Sequence, residues 1–428
     1  MNTRRDENML TWWADVRVLV LLFFGLRLTL AVVYQPALWQ LYDANGAPLT
    51  LQQGLSTYGD FHYFYNIARL TDGGNWPYRD FWYEFPPLWS VLFMGLYRVL
   101  SVHSAASYAT WSTALGLLLN VFDVGNLVVL RRLGERLHGQ TVGLALSWTY
   151  ALLAAPLILT WWNFEPLVLF LMLAALWTLL IGAEGRSALL TALGALTKYV
   201  PILLLPTVWR FWPRTRALRY TLVSVGLVAL MLGGLLVWGG EMAWASLRAQ
   251  AVKPSYQTVW ALLDGNLRTG QFPDAAAHFD TRTIYDTTAY PPRVPFGLRT
   301  LPFVALGAWL YTRRMRRDAH GVVAFYALTV TLFFLWAQGW SAQWALPLSA
   351  LILLNFPTRA GVLSCLMLGL LSFWEYPALF MRATEAASVV RAHLVPTFAL
   401  LVSVRTVLLL GFAAALYRRL TSFQTEER

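Results

Sequence analysis

The sequence predicts an all-α polytopic membrane protein. It is read as one integral membrane domain over residues 1–428, with a bundle of about ten transmembrane helices, two half-membrane elements and a site carried on outer loops. Three observations predict this. The 428 residues are 57% hydrophobic and 13% charged, where a soluble chain carries about 25% charged residues. Apolar runs near spanning length, about 20 residues, recur from end to end. The basic residues behind the net charge of +11 sit in short clusters between those runs, as cytoplasmic loops do. The same scatter argues against nucleic acid as a partner, because a polyanion needs the charge gathered on one face.

The first span is about 16–35. Arg4 and Arg5 precede it and place the N-terminus inside. The run exceeds a signal-peptide core and shows no small-residue cleavage site before Pro36, so it is read as uncleaved. Residues 36–86 then lie outside as a first outer loop. Residues 87–103 are apolar but interrupted by Arg98 and His103, and the next run, 107–130, ends in Arg131-Arg132-Leu133-Gly134-Glu135-Arg136. If both runs crossed, that basic stretch would fall outside. The first is therefore a re-entrant or interfacial helix, and 107–130 is the second span. The third span, about 140–156, leads out to Trp161-Trp162-Asn163-Phe164-Glu165-Pro166, and the fourth, about 166–182, returns to Glu184-Gly185-Arg186. Residues 187–209 have inside signals on both flanks and a break at Thr197-Lys198-Tyr199-Val200-Pro201. Pro201 lacks the N–H an unbroken helix needs, and irregular backbone at membrane depth is tolerated only against protein or water. This is the second half-membrane element. The remaining spans are about 220–238, 298–312, 320–337, 345–356, 360–377 and 395–416, with a long outer segment at 239–297. The basic residues Arg210 to Arg219, Arg313 to Arg317, Arg359, and Arg418 with Arg419 then all fall inside, together with both termini. No internal repeat or separate soluble domain is visible.

Chemistry is sought where the polar residues gather: segments 36–86 and 239–297, with 161–166 and 339–344 on the same face. The stretch 58–89 holds Asp60, His62, Arg69, Asp72, Arg79, Asp80 and Glu84 among Trp76, Trp82 and Trp89. Transfer of a sugar from a phosphate leaving group to a hydroxyl needs a base for the acceptor proton, and Asp60 suits that task. Asp is also a favoured helix cap, and an aromatic helix begins near Phe61, so both roles stay open. Glu165 can orient an acceptor, hold a cation, or be a solvated loop residue. Glu84, just before Pro86-Pro87, can fix the loop or bind sugar or metal. Lys198, at the helix break, is either a ligand for a lipid phosphate or a lysine snorkelling to the interface. Lys253, Arg268, Arg282 and Arg293 can meet a lipid phosphate from outside, or be solvated charges. Arg27 and Asp123, inside the first and second spans, read as a structural ion pair. The single cysteine, Cys365, excludes an intrachain disulfide. The six histidines form no HExxH or paired spacing, and no P-loop or GxGxxG is present. A soluble nucleotide substrate is thereby disfavoured, while a divalent metal near Asp60, His62, Glu84 or Glu165 stays open.

Several short motifs, in order, resemble the polyprenyl-phosphate-dependent glycosyltransferases of the GT-C superfamily, bacterial mannosyltransferase-like members above all. They are Gly59-Asp60 before an aromatic helix, Gly74-Asn75-Trp76-Pro77-Tyr78-Arg79-Asp80-Phe81, and Tyr83-Glu84-Phe85-Pro86-Pro87-Leu88. Farther on come Thr197-Lys198-Tyr199-Val200-Pro201 up to Pro206, and Trp340-Ser341-Ala342-Gln343-Trp344 with Pro347. The first resembles the family's Lys-x-x-Pro element. The second resembles its Ser-Pro-Gln-aromatic element with Ala342 in place of the proline, which bears on the role of Gln343. The resemblance implies a GT-C-like bundle, an acidic base in the first outer loop (here Asp60), and a second acidic residue matched by Glu84 or Glu165. It also implies a lipid-linked sugar donor with a lipid phosphate as leaving group.

The expected protein is an inverting glycosyltransferase of the cell (inner) membrane. It moves a hexose, mannose first, from a polyprenyl-phosphate donor to an extracytoplasmic glycan or glycolipid. His62, Glu84, Glu165, Lys198, Lys253, Arg268 and Gln343 are the expected substrate-binding residues, and Trp76, Trp82 and Trp162 are expected to face sugar or lipid. Two other classes compete. A transporter or flippase of lipid-linked sugars would predict repeats; a non-catalytic scaffold would leave Asp60 as a helix cap only.

Overall fold

The structure, a computed structural model, describes residues 12–33, 38–42, 48–52, 59–153, 163–270, 272–284, 291–379 and 389–422. It is helical, as the all-α expectation has it, with one antiparallel ribbon, β1 (Leu38–Tyr42) and β2 (Pro48–Gln52), between the first two helices. The helices that matter for the site begin with α1 (Val16–Val33), α2 (Gly59–Arg69), α3 (Pro87–Leu100), α4 (Tyr108–His138), α5 (Gln140–Leu152), α6 (Glu165–Leu180) and α7 (Glu184–Thr197). After them come α8 (Leu205–Phe211), α9 (Arg214–Val252), α10 (Val259–Asp264), α11 (Phe296–Thr312), α12 (Ala319–Trp336), α13 (Ala345–Asn355), α14 (Arg359–Phe373) and α15 (Val395–Thr421).

Among the described residues, four helices are long and apolar enough to cross a membrane by length and composition: α4, α9, α12, and α15 with the turn before it. With the composition they make this a membrane protein. Shorter apolar helices include α3, α6, and the stretches holding α8 and α13. The two elements read as half-membrane, α3 and the broken α7–α8 pair, are both short, and α3 packs on α7. The break falls at Lys198, which is extended (φ −157°, ψ 139°), and a 3-10 turn with Pro201 follows it.

Two helices run farther than their hydropathy suggests. The second span continues through Arg131, Arg132 and Arg136 to His138. It is capped at its start by the Ser107 side chain and stopped by Gly139 at φ 90°. No proline interrupts those arginines, and Arg is a good helix former. The helix over the fifth span likewise runs on to Val252, so the first part of 239–297 is helix and not loop. It bends at Gly240 (φ 53°, ψ −121°), a conformation open to glycine and not to residues with a Cβ. Its neighbour Gly239 lies so close to the Tyr78 carbonyl that a Cβ would sit 1.7 Å from the oxygen.

Buried polar groups tie the bundle together. Arg27 Nε donates to Asp123 Oδ2 at 2.6 Å with both side chains buried, the ion pair their positions predict. Tyr150 donates to the other Asp123 oxygen at 2.6 Å, and Asn126 donates to the Pro166 carbonyl at 2.9 Å. One network thus joins α1, α4 and α5 to the first turn of α6, beside Glu165.

Candidate active site

Three stretches interlock on one face of the bundle. The segment after α2 is held against the loop beyond α9. Trp82 N–H donates to the His278 carbonyl (2.9 Å), and His278 Nδ1 lies 2.7 Å from the Trp82 carbonyl. That carbonyl can only accept, so Nδ1 carries the proton and Nε2, 3.3 Å from the Tyr63 hydroxyl, is the acceptor. Burial pushes the His278 pKa down to about 4, so the ring is neutral at ordinary pH. Tyr83 N–H donates to Ser246 Oγ (2.8 Å) and Gln250 Nε2 to the Glu84 carbonyl (3.1 Å), both from the end of α9. The third stretch joins when Tyr256 N–H donates to the Gln338 carbonyl and Trp340 N–H to the Tyr256 carbonyl, each at 3.1 Å.

These segments enclose a cavity of about 140 Å³. Its polar wall carries Asp60, Asn163, Lys198, Gln250, Lys253 and Gln343. Its aromatic wall carries Phe85, Tyr256, Phe272, Trp340, Trp344 and Tyr376. Asp60 sits in the first turn of α2 and is partly shielded. Burial is the main cause that lifts its pKa to about 6, against the opposing pull of Lys198 and Lys253. The nearby Glu84 and Glu165 charges add to the lift.

Each lysine is matched to its own buried carboxylate. Lys198 Nζ lies 2.6 Å from Glu165 Oε2 and Lys253 Nζ 3.6 Å from Glu84 Oε2, with both glutamates 0% exposed at the side chain. Aromatic faces cover the same ammoniums. Lys198 lies over Phe164 and Trp344 (5.1 and 5.5 Å), and Lys253 over Phe272 and Tyr256 (5.3 and 5.4 Å). Burial works against the Lys253 charge, but Glu84, Tyr256 and Asp60 together hold its pKa above the ordinary value. The cavity therefore offers two ammonium groups at fixed positions beside a carboxylate that can take a proton near neutral pH.

Of the residues singled out in the sequence, the structure brings Asp60, Lys198, Lys253 and Gln343 to the cavity wall. Glu84 and Glu165 stand behind the lysines and do not border the cavity. His62 is exposed beside Asn66 and Tyr108. It is two residues from Asp60 on a helix turning about 100° per residue, so it points away. Arg268 is held in a backbone bridge to Val389, outside the cavity wall. Trp82 is fully buried against the His278 ring, with its indole N–H donating to the Ala277 and Asp280 carbonyls. Trp76 is 56% exposed, and neither it nor Trp82 borders the cavity. Trp161 and Trp162 lie outside the described residues. The sequence reading passed over Gln250, Tyr256, Gln257, Phe272 and Tyr376, and held Asn163 and Trp344 only as members of longer motifs. The pairing of Gln250 with Glu84, 166 positions upstream, and of Tyr256 with Gln338 and Trp340 in a third segment has no local signature. Among the described residues no group of three or more His, Cys, Asp or Glu side chains stands close enough to hold a metal ion. The two buried glutamates are each matched by a lysine.

No family model matches the sequence, and no curated protein matches it. Solved structures with a similar arrangement include the Archaeoglobus fulgidus oligosaccharyltransferase in its apo form, with a TM-score of 0.44 and 12% identity over 96% of this chain and 57% of that one. The same enzyme tethered to an acceptor peptide with the NVT sequon gives 0.43 and 12%, over 96% and 56%. Archaeal oligosaccharyltransferase AglB from that organism, with an inhibitory peptide and a dolichol-phosphate, gives 0.42 and 12%, over 96% and 56%. This chain thus spans a little over half the length of the archaeal enzyme. At these values the likeness assigns neither chemistry nor substrate to this chain.

Proposed function

We propose that the chain is an inverting glycosyltransferase of the GT-C type. It moves a hexose, mannose first, from a polyprenyl-phosphate donor to a hydroxyl of an extracytoplasmic glycan or glycolipid. The chain is one integral domain of about ten spans, with cytoplasmic termini and the cavity facing outward. The observation that carries the reading is the Asp60 carboxylate in a walled cavity with Lys198 and Lys253, each lysine fixed by a buried glutamate.

The chemistry follows from that arrangement. The acceptor hydroxyl gives its proton to Asp60 as its oxygen bonds to the anomeric carbon. The bond from that carbon to the phosphate oxygen breaks on the opposite face, and its electron pair leaves with the polyprenyl phosphate. A single base suffices for an inverting displacement, and a pKa of about 6 is close to the operating range where a general base works best. Lys198 and Lys253 meet the charge that develops on the leaving phosphate. Because their glutamates and rings fix them beforehand, little reorganisation is needed when that charge appears. The Trp340, Trp344 and Tyr256 rings line the cavity where the sugar would lie.

Purified protein in lipid nanodiscs, given radiolabelled polyprenyl-phosphate hexoses and glycan or glycolipid acceptors, is expected to transfer label and release polyprenyl phosphate. A flippase would instead carry the intact donor across a vesicle membrane. Translocation without cleavage, for every sugar tried, would sink the transferase reading.

A further inference from the structure

We infer that Arg405 is a positioning residue. With Glu375 it locks Gln257 into a left-handed backbone turn, and that turn sets Tyr256 and Lys253 against the phosphate of the lipid ligand. The inference takes its ligand from the transferase reading.

Arg405 lies midway along α15 and is 2% exposed. One guanidinium nitrogen donates to Glu375 Oε2 and another to the Gln257 carbonyl. The same group lies over the Trp340 ring at 4.4 Å. A charge buried in a spanning helix is costly even when it is paired, and marks a functional position by default. Arg405 does not itself border the cavity, so its effect has to pass through what it holds.

What it holds is strained. Gln257 has φ 53°, in the region that residues with a Cβ rarely adopt, and it is 2% exposed. Such a conformation persists only where the surroundings over-determine it, and it clusters at ligand clamps. Here the surroundings do so from three sides. The backbone carbonyl accepts from Arg405, the side-chain Nε2 donates to Glu375 Oε1 at 3.0 Å, and Oε1 accepts from Gly270 N–H at 2.9 Å. Gln257 borders the cavity, yet its amide is spent on this lock and not on a ligand.

The turn fixes the residue before it. Tyr256 is wedged between Gly270 and Gly339, where an added Cβ would come within 3.0 and 2.2 Å of the ring. Its face carries Lys253 Nζ at 5.4 Å. Arg405 therefore joins three segments far apart in sequence, around Gln257, Trp340 and Tyr376, that bring Tyr256, Trp340, Trp344 and Tyr376 to the aromatic side of the cavity.

The test compares two replacements at Gln257, with binding of a long-chain polyprenyl phosphate to protein in nanodiscs as the readout. Glycine adopts the left-handed turn without strain, whereas valine resists it. Gln257→Gly is expected to bind at least about 5-fold more tightly than Gln257→Val, and Arg405→Lys, which keeps the charge but loses the fork, to bind about 10-fold more weakly than the native chain. Gly and Val variants that bind alike, both tightly or both weakly, overturn the inference. If Gln257→Val does not fold, Arg405→Lys decides, and native-like binding by it is the contrary result. Failure of the native chain to bind polyprenyl phosphate overturns the transferase reading, and this inference with it. Tight native binding with indistinguishable variants overturns this inference alone.

Discussion

Asp60 faces a cavity and not bulk water, and its raised pKa makes two effects separable by pH. As a base it works only when ionised, so kcat/KM is expected to rise through about pH 6 and to fall away below it. A profile flat from about pH 5 to 8 would remove Asp60 from the proton transfer. The stability effect has the opposite sense. A carboxyl whose folded pKa is raised holds its proton more tightly when folded. It contributes stability below the unfolded value of 3.8 and loses it as pH rises through about 6. Asp60→Asn is therefore expected to melt above the native chain near pH 7.5, by no more than about 3 kcal/mol, with the gap closing near pH 4. Equal melting curves at both pH values would contradict the shielding assigned to this carboxyl. Lys198 and Glu165 behave as a unit. Lys198→Met leaves a buried carboxylate unmatched and is expected to cost about 3–5 kcal/mol in unfolding, most of it recovered when Glu165→Leu is added. A double variant no more stable than the single one would contradict the pairing.

The elements show which parts of the fold were legible in the sequence. The helix break at Lys198 was readable because Pro201 forbids a continuous ladder, and α3 was read as not crossing because a second crossing would put the basic end of α4 outside. The length of α9 was not readable: polar residues past Trp238 read as loop, yet helix propensity and the dock onto the Tyr78 turn carry the helix to Val252. For the site, Asp60, Lys253 and Gln343 were legible as polar groups on segments read as outward, and Lys198 as a charge at a helix break. Arg405, Glu375 and Gln257 were not, since their contacts link residues 148, 30 and 118 positions apart. The elbow in α9 gives an element-scale test. At Gly239 a Cβ would strike the Tyr78 carbonyl, whereas at Gly226 and Gly233 it would meet nothing within 4 Å. Gly239→Ala is expected to lower the melting temperature and weaken lipid-phosphate binding, because the end of α9 carries Gln250 toward the cavity and leads into Lys253. Gly226→Ala and Gly233→Ala are expected to stabilise by up to about 1 kcal/mol through helix propensity. A Gly239→Ala variant as stable as these two would show that the elbow is not docked.

At the scale of the molecule, a buried polar network crosses the bundle from Arg27 to the first turn of α6, while the apolar faces of α9 and α11 lie outward. The proposed orientation places Trp76 outside and Arg216 inside, and both side chains are exposed. Cys365, the one native thiol, is buried. In a Cys365→Ser background, Trp76→Cys is expected to react with an impermeant maleimide on intact cells, and Arg216→Cys only after permeabilisation. The reverse pattern would turn the cavity to the cytoplasm. The central claim is that this cavity transfers a sugar with Asp60 as base. The most direct measurement is turnover of a radiolabelled polyprenyl-phosphate hexose by Asp60→Asn beside the native chain, both folded and both binding polyprenyl phosphate. A loss of about 100-fold or more in kcat, with lipid binding retained, is the expected result; near-native turnover by Asp60→Asn contradicts it.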